Sequence, residues 1–270
     1  MDQPLLLVGG GKMGGAMLEG WLDQGLAAKN VYVVEPFAAA AEVFATRGVH
    51  TAENHAALPA SLHPGVVIFA VKPQVMDDVV PPYASFAGPD TVFMSIAAGK
   101  TIGYFQERLG EDAVIVRAMP NTPAAVGRGI TVACGNAGVN ETQQTQCLDL
   151  LRAVGAAEWV DDEGLIDAVT ALSGGGPAYV FLLAECMAKA GAASGLPVDL
   201  AQRLARATVA GAGELLRQSD EPAATLRENV TSPGGTTAEA LRVLMGEEAW
   251  QPLMDRAIAA ATARSRELAG

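Results

Sequence analysis

The chain has 270 residues, half of them hydrophobic, and a formal net charge of −12 at neutral pH. This length allows one large domain or two ordinary ones and supplies a sizeable core. The acidity argues against a nucleic-acid partner, which needs clustered Lys and Arg, and against adhesion to an anionic membrane surface.

Leu5 to Val8 reads as a short buried strand, and Gly9-Gly10-Gly11-Lys12-Met13-Gly14 follows it as a G-x-G-x-x-G pattern. A helix-period run comes next, with Met13, Met17 and Trp21 spaced by four. Strand, glycine turn and helix in that order form the context of a dinucleotide-binding turn. Gly9 allows the tight turn, Gly11 the approach of a pyrophosphate, and Gly14 close packing of helix on strand. The helix N-terminus then offers free N–H groups and partial positive charge to the phosphates.

Val31 to Val34 predicts a second strand ending at Glu35, which lies 21 positions beyond Gly14. An acidic residue there can bind the adenine ribose 2′-hydroxyl, and the alternative is an ordinary solvated charge. No Lys or Arg stands between Pro36 and Ala41 to hold a 2′-phosphate, which favours NADH over NADPH. Further strands are expected at Val66–Val71, Val92–Ile96, Val114–Arg117, Ile130–Ala133 and Ala157–Val160. Helices are expected at 38–47, 101–109 and 141–154. Strands alternating with helices predict an α/β fold with a doubly wound, Rossmann-like, mostly parallel sheet. Ligands on such a sheet sit beyond the carboxyl ends of the strands. Three loops fall there besides the glycine turn: Val71-Lys72-Pro73, Ser95 to Gly99, and Met119 to Pro123.

Near Asp161 the character changes, and from there onward only helices are expected, at 166–172, 179–194, 200–217, 237–245 and 248–268. The division expected is therefore 1–160 for dinucleotide binding and 161–270 for an all-α domain. Ala- and Gly-rich helix faces (Ala184, Ala188, Gly191; Ala207, Gly211) permit close packing, either within one chain or against a second subunit. No apolar run was expected to span a bilayer. Residue 1 runs almost directly into the first strand, leaving no room for a signal peptide, and the three cysteines lack a C-x-x-C. Both point to a reducing cytoplasm without a disulfide framework.

His50, His55 and His63 lie in a polar stretch, and no metal site is expected. No histidine follows His63, and Lys189 is the only lysine beyond residue 100. A dehydrogenase acting on a carbonyl normally needs a His or Lys acid at the hydride acceptor. A protonated imine already carries its positive charge and needs no strong acid. The best substrate site is Ser232-Pro233-Gly234-Gly235-Thr236-Thr237, whose small residues at a helix start make a nest for a carboxylate. The same residues read equally well as an ordinary N-cap.

Several loops are similar to the successive signatures of pyrroline-5-carboxylate reductases. They are Ala70-Val71-Lys72-Pro73, Ser95 to Gly99, Arg117 to Pro123, Ser173-Gly174-Gly175-Gly176-Pro177-Ala178-Tyr179 and Ser232 to Thr237. Their order agrees from the first strand to the last helix. The resemblance implies reduction of L-1-pyrroline-5-carboxylate to L-proline with NAD(P)H, the last step of proline biosynthesis, with NADPH the family norm. It implies that Gly9, Gly11, Lys12, Met13 and Gly14 hold the pyrophosphate. Asn54, Ala70, Val71, Lys72, Ala97 and Asn121 would line the dinucleotide cleft. Ser232, Gly234, Gly235 and Thr236 would bind the substrate carboxylate, and Thr237 would face the ring nitrogen as the catalytic hydroxyl. The helical domain would carry substrate binding and dimerisation, with dimers able to assemble further, up to decamers. Two departures stand out: Gly175 replaces the second serine of Ser-Gly-Ser-Gly-Pro, and Glu35 stands where many relatives carry small or basic residues.

Two other readings compete. A β-hydroxyacid dehydrogenase places a lysine on the helix after its central glycine-rich turn, and here no lysine follows Gly176 until Lys189. A nucleotide-sensing or pyridoxal-phosphate-binding regulator would keep the glycine turn but need no carboxylate nest.

Overall fold

The computed structural model describes residues 3–269. Its contacts divide the chain into two units, one running to Gly174 and taking in the stretch from Ala261 onward, the other spanning 175–260.

The first unit is built on an eight-stranded sheet. In chain order its strands are β1 Leu5–Val8, β2 Val31–Val34, β3 His50–Ala52, β4 Val66–Phe69, β5 Val92–Ser95, β6 Val114–Met119, β7 Gly129–Gly135 and β8 Gly155–Trp159. The spatial order is β3-β2-β1-β4-β5-β6-β7-β8. The first six run parallel, β7 turns antiparallel against β6, and β8 is parallel to β7. Strand order reverses between β1 and β4, which opens the crevice where such sheets take ligands.

Both faces of the sheet are covered, which is why its central strands are unbroken apolar runs. Leu5, Leu7, Val33, Ile68, Met94 and Val116 face one layer, with Met17, Leu18 and Trp21 of α1 (Lys12–Asp23) and Cys147, Leu150 and Leu151 of α5 (Glu141–Arg152). Leu6, Val8, Val67, Phe69, Phe93 and Ile115 face the other, with Met76 of the short α3 (Met76–Val79), Tyr83, and Phe105 of α4 (Ile102–Leu109). The remaining helix on the sheet, α2, covers Ala38–Thr46. Trp21 Nε1 donates to the Leu150 carbonyl at 2.8 Å. A Cβ on Gly20 would come 2.6 Å from the Ala153 carbonyl oxygen, so α1 reaches the end of α5 only through a glycine. Helix α5 starts with a capping box, Asn140 and Gln143 bonding each other's backbone N–H.

After β8 the chain forms one turn of helix, α6 (Ile166–Val169), which widens into a π-helical turn over Thr170–Gly174. The second unit holds α7 (Gly176–Ala193), α8 (Val198–Gln218), α9 (Ala223–Asn229) and α10 (Thr236–Leu244), and the start of α11 (Trp250–Ala269). Helices α7 and α8 pack together, with Gly191 close to Ala201. The far end of α11 belongs to the first unit, where Ser265 Oγ donates to Asp167 Oδ1 at 2.6 Å, both side chains buried.

Several elements depart from the sequence reading, among them the short α3, which was not expected. Strand β3 and helix α9 were not predicted, and the helix expected at 166–172 is an α turn followed by the π turn. The expectation that no stretch could span a bilayer needs correction. Residues 163–193 form one helical run long and apolar enough by length and composition, its most apolar 18-residue window having mean hydropathy 1.3. Only 11% of that window is buried, so it presents an apolar surface.

The thiols of Cys134 and Cys147 are buried, and burial pushes both up to about 12. Tyr83 is raised by burial in the same direction. The unfolded chain releases thiol protons near pH 8.5, roughly, while the folded chain keeps them. This contribution to stability is complete below that pH and is lost as pH rises toward the folded value. The urea midpoint should therefore fall between about pH 8 and pH 10.5. The same chain at pH 8 should expose no more than one thiol to an aromatic disulfide reagent before unfolding, because only Cys186 is exposed.

Candidate active site

The glycine turn fits its sequence roles one residue at a time. Gly9 has φ +100°, and its N–H donates to the Val34 carbonyl at 2.9 Å. A Cβ there would lie 2.8 Å from Val71 Cγ1 and 3.0 Å from the Ala70 backbone. A Cβ on Gly14 would stand 2.2 Å from the Gly9 carbonyl oxygen, inside van der Waals contact. Gly11 differs from both. It is exposed, and a Cβ on it would meet nothing within 4 Å. Gly11 is also the N-cap of α1, with no side-chain cap and no acidic residue in the first turn. The first N–H groups of α1 thus lack a side-chain acceptor, and the open face above them is a cradle that a Cβ would fill. These residues fit the pyrophosphate of a dinucleotide. Lys12 is exposed beside them, and Met13 turns inward against the core.

Glu35 is only 6% exposed. Its Oε2 accepts from Gly10 N at 2.8 Å and its Oε1 from Phe37 N at 3.0 Å. It is therefore not a solvated charge. The carboxylate is locked to the turn it was expected to complement, and a carboxylate has further lone pairs for a ribose hydroxyl. The nearest arginine in sequence, Arg47, pairs with Glu19 and Asp23.

The other expected nucleotide residues follow the carboxyl ends of adjacent parallel strands. Ala70, Val71 and Lys72 follow β4, with Lys72 exposed and Ala70 and Val71 against the glycine turn. Ala97 follows β5, buried, its N–H donating to Ser95 Oγ at 3.2 Å. Asn54 follows β3 as the exposed cap of a short 3-10 turn. Asn121 follows β6, but its amide points to protein backbone: Nδ2 donates to the Ser173 carbonyl and Oδ1 accepts from Ile130 N.

A polar cluster beneath these loops escaped the sequence reading. Arg117, buried, pairs with Glu163 at 2.9 Å, and the same Glu163 oxygen accepts from Ile102 N at 2.9 Å. It ties the start of α4, just beyond the Ser95–Gly99 loop, to the end of β6. An arginine inside an apolar strand was the available signal, and its partner lies 46 residues away.

In the second unit, Ser232 to Thr237 forms a tight turn into α10. Gly234 has φ +69°, and Gly235 N donates to the Ser232 carbonyl at 3.0 Å. The N-cap is Gly235, without a side-chain cap. The alternative of an ordinary Ser or Thr N-cap is thus not what forms. The hydroxyls of Ser232 and Thr236 are on exposed residues, Thr237 is half-buried, and the leading N–H groups of α10 are left for an anion.

The remaining candidates have structural employment. His50 stacks on Tyr32, and His55 meets Tyr83 edge-on. Lys189 is exposed and bonded to Glu185 at 2.6 Å, which raises its pKa and keeps it protonated. That is the opposite of what a catalytic lysine needs.

A mostly parallel sheet whose order reverses between β1 and β4, with an open glycine-capped helix start at the crevice, is the architecture of an oxidoreductase of the nicotinamide-dinucleotide class. The comparisons narrow this. Residues 163–268 match the family model for pyrroline-5-carboxylate reductase dimerisation, and residues 5–99 match one described as NADP oxidoreductase coenzyme F420-dependent. The chain is 38% identical over 266 residues to pyrroline-5-carboxylate reductase of Pseudomonas aeruginosa, covering 98% of this chain and 96% of that one. Against the Haemophilus influenzae enzyme of that name it is 38% identical, covering 98% and 97%. Among solved structures, a pyrroline-5-carboxylate reductase from Coxiella burnetii superposes with TM-score 0.93 at 32% identity, with full coverage of both chains. The Plasmodium falciparum pyrroline carboxylate reductase with NADP bound gives 0.81 at 29%, covering 100% and 99%. The chain belongs to the pyrroline-5-carboxylate reductase family.

The two glycines should separate on substitution. Gly11→Ala should leave the thermal midpoint unchanged and weaken dinucleotide binding by about tenfold or more, or ~1.4 kcal/mol. Gly14→Ala should lower both, because its methyl meets the Gly9 carbonyl. Calorimetric melting and titration with NADH and NADPH measure the two effects.

Proposed function

We infer that the chain reduces the cyclic imine L-1-pyrroline-5-carboxylate to L-proline with NAD(P)H, as a homo-oligomer in the cytoplasm. The observation that carries this reading is the glycine-capped start of α10 in a chain that matches the family end to end. The nest binds the carboxylate that distinguishes this substrate from a simple imine. Backbone N–H groups at Thr236 and Thr237 and the helix partial charge attract it, with Ser232 and Thr236 hydroxyls as further donors. When bound, the reduced nicotinamide supplies a hydride to the imine carbon. Thr237 then has one task, to orient the ring nitrogen and exchange a proton with it. No group of strongly shifted pKa is required, because reduction neutralises a cation instead of creating an alkoxide. This accords with a second half that contains no histidine.

The dimerisation match and the exposed apolar residues of the second unit, among them Phe181, Leu215, Val230 and Met245, support self-association with a dimer as the minimal unit.

Within NAD(P)H, the chain favours NADH. The support is Glu35, whose fixed carboxylate borders the turn, together with the absence of Lys or Arg from Pro36 to Thr46. A 2′-phosphate brought there would meet a like charge in a poorly solvated place. Steady-state oxidation of both cofactors with pyrroline-5-carboxylate tests these readings. Turnover is expected with each, at a higher kcat/KM for NADH. No turnover with either overturns the reaction, and equal or better efficiency with NADPH overturns the Glu35 reading alone.

Thr237→Ala should lower kcat by about a hundredfold, within the range for a lost proton-transfer group, while the Kd for NADH stays unchanged. Weakened cofactor binding in that variant would reassign the residue.

A further inference from the structure

Asn121 stands in the loop after β6, on the crevice side of the sheet, yet its side chain turns away from the crevice. Its Oδ1 accepts from Ile130 N at 3.0 Å, in the second residue of β7. Its Nδ2 donates to the Ser173 carbonyl at 3.1 Å, inside the π turn that ends at Gly174. One half-buried amide therefore joins the loop, the next strand and the π turn. Asparagine matches this demand because it presents a donor and an acceptor on one planar group.

The turn it holds is itself specialised. π turns inside helices are rare and concentrate at functional positions. Here Thr170 Oγ1 donates to the Ile166 carbonyl at 2.7 Å and Ser173 Oγ to the Val169 carbonyl at 3.0 Å, so both hydroxyls bond back along the widened helix. Gly174 closes it beside Met119, whose Cε would lie 2.7 Å from a Cβ at that position. Two contacts thus bind loop 119–123 to the π turn, one polar through Asn121 and one apolar through Met119.

Accepting the reaction inferred above, we propose that Asn121 is a positioning residue for hydride transfer and not a ligand of the cofactor. It fixes the height of the Pro120–Thr122 backbone at the carboxyl end of β6. The cofactor's affinity rests elsewhere, on the glycine turn.

The test is Asn121→Asp, equal in shape. Its carboxylate still accepts from Ile130 N but cannot donate to the Ser173 carbonyl, and it sets two acceptors against each other. The expected result is a fall in kcat of about tenfold to a hundredfold, as for a small misplacement near a reacting centre. The Kd for NADH in the binary complex should stay within about twofold of wild type. Half-buried and set against a carbonyl oxygen, that carboxyl is raised above the ordinary aspartate value of about 3.9, so as pH falls from about 8 toward about 4.5 it gains a proton and regains its donor, and kcat relative to wild type should rise. Asn121→Ala, which cannot regain a donor, should show the same kcat loss without recovery, and it carries the kcat-against-Kd comparison if the first variant does not fold. A Kd weakened about tenfold with kcat intact makes Asn121 a direct ligand and overturns the proposal. Unchanged kcat in both variants also overturns it. A wild-type chain inactive with pyrroline-5-carboxylate overturns the reaction itself, which separates that failure from failure of the Asn121 role.

Discussion

The approach of Gly14 to the carbonyl of Gly9 is the constraint on which the first unit depends. With 2.2 Å between a would-be Cβ and that oxygen, no side chain can stand there without moving helix or strand. Because α1 sits this low, its N-terminus points into the opening between β1 and β4, and Ala70 and Val71 close on the turn from the far side. Trp21 and Gly20 then carry the same closeness to the other end of the helix, against α5. Dinucleotide recognition is thus an outcome of how tightly one helix lies on one sheet.

The same device recurs in the second unit. Gly235 caps α10 as Gly11 caps α1, each in an extended conformation and each without a side chain to satisfy the leading N–H groups. By contrast α4 and α5 are capped by the side chains of Thr101 and Asn140. In a chain of net charge −12 the binding of anions cannot come from overall electrostatics. Local backbone dipoles at helix starts such as those capped by Gly11 and Gly235 are the attraction available instead, since distant negative charge is screened.

Much of this was legible in the sequence for a physical reason. Strands buried on both faces must be continuous apolar runs, so β1, β2, β4, β5 and β6 announced themselves. Gly9 and Gly234, at positive φ, and Gly14, against the Gly9 carbonyl, sit where the backbone itself requires a glycine, and position alone marked both turns. What escaped was whatever draws on distant partners. Strand β3 is three residues, exposed His50 and Thr51 and half-buried Ala52, whose strand character comes from pairing with β2. Helix α9 has no buried residue and so no apolar period. The direction of the Asn121 amide and the pairing of Arg117 with Glu163 depend on segments 46 and 52 residues away. The family resemblance located Asn121 correctly in the loop, but a motif does not encode where a side chain turns.

Glu35 carries a consequence for how cofactor choice can change. Its carboxylate is the acceptor for the N–H groups of Gly10 and Phe37, one inside the glycine turn and one just after β2. Replacing it with a small or basic residue would strip two amides of their acceptor at the same moment as it removed the negative charge. Under the NADH preference inferred above, cofactor choice and the integrity of the turn are inherited together. A lineage or a designer moving between the two cofactors must supply a new acceptor in the 36–37 region before, or along with, any exchange at 35, and single-site swaps along that route pass through a loosened turn.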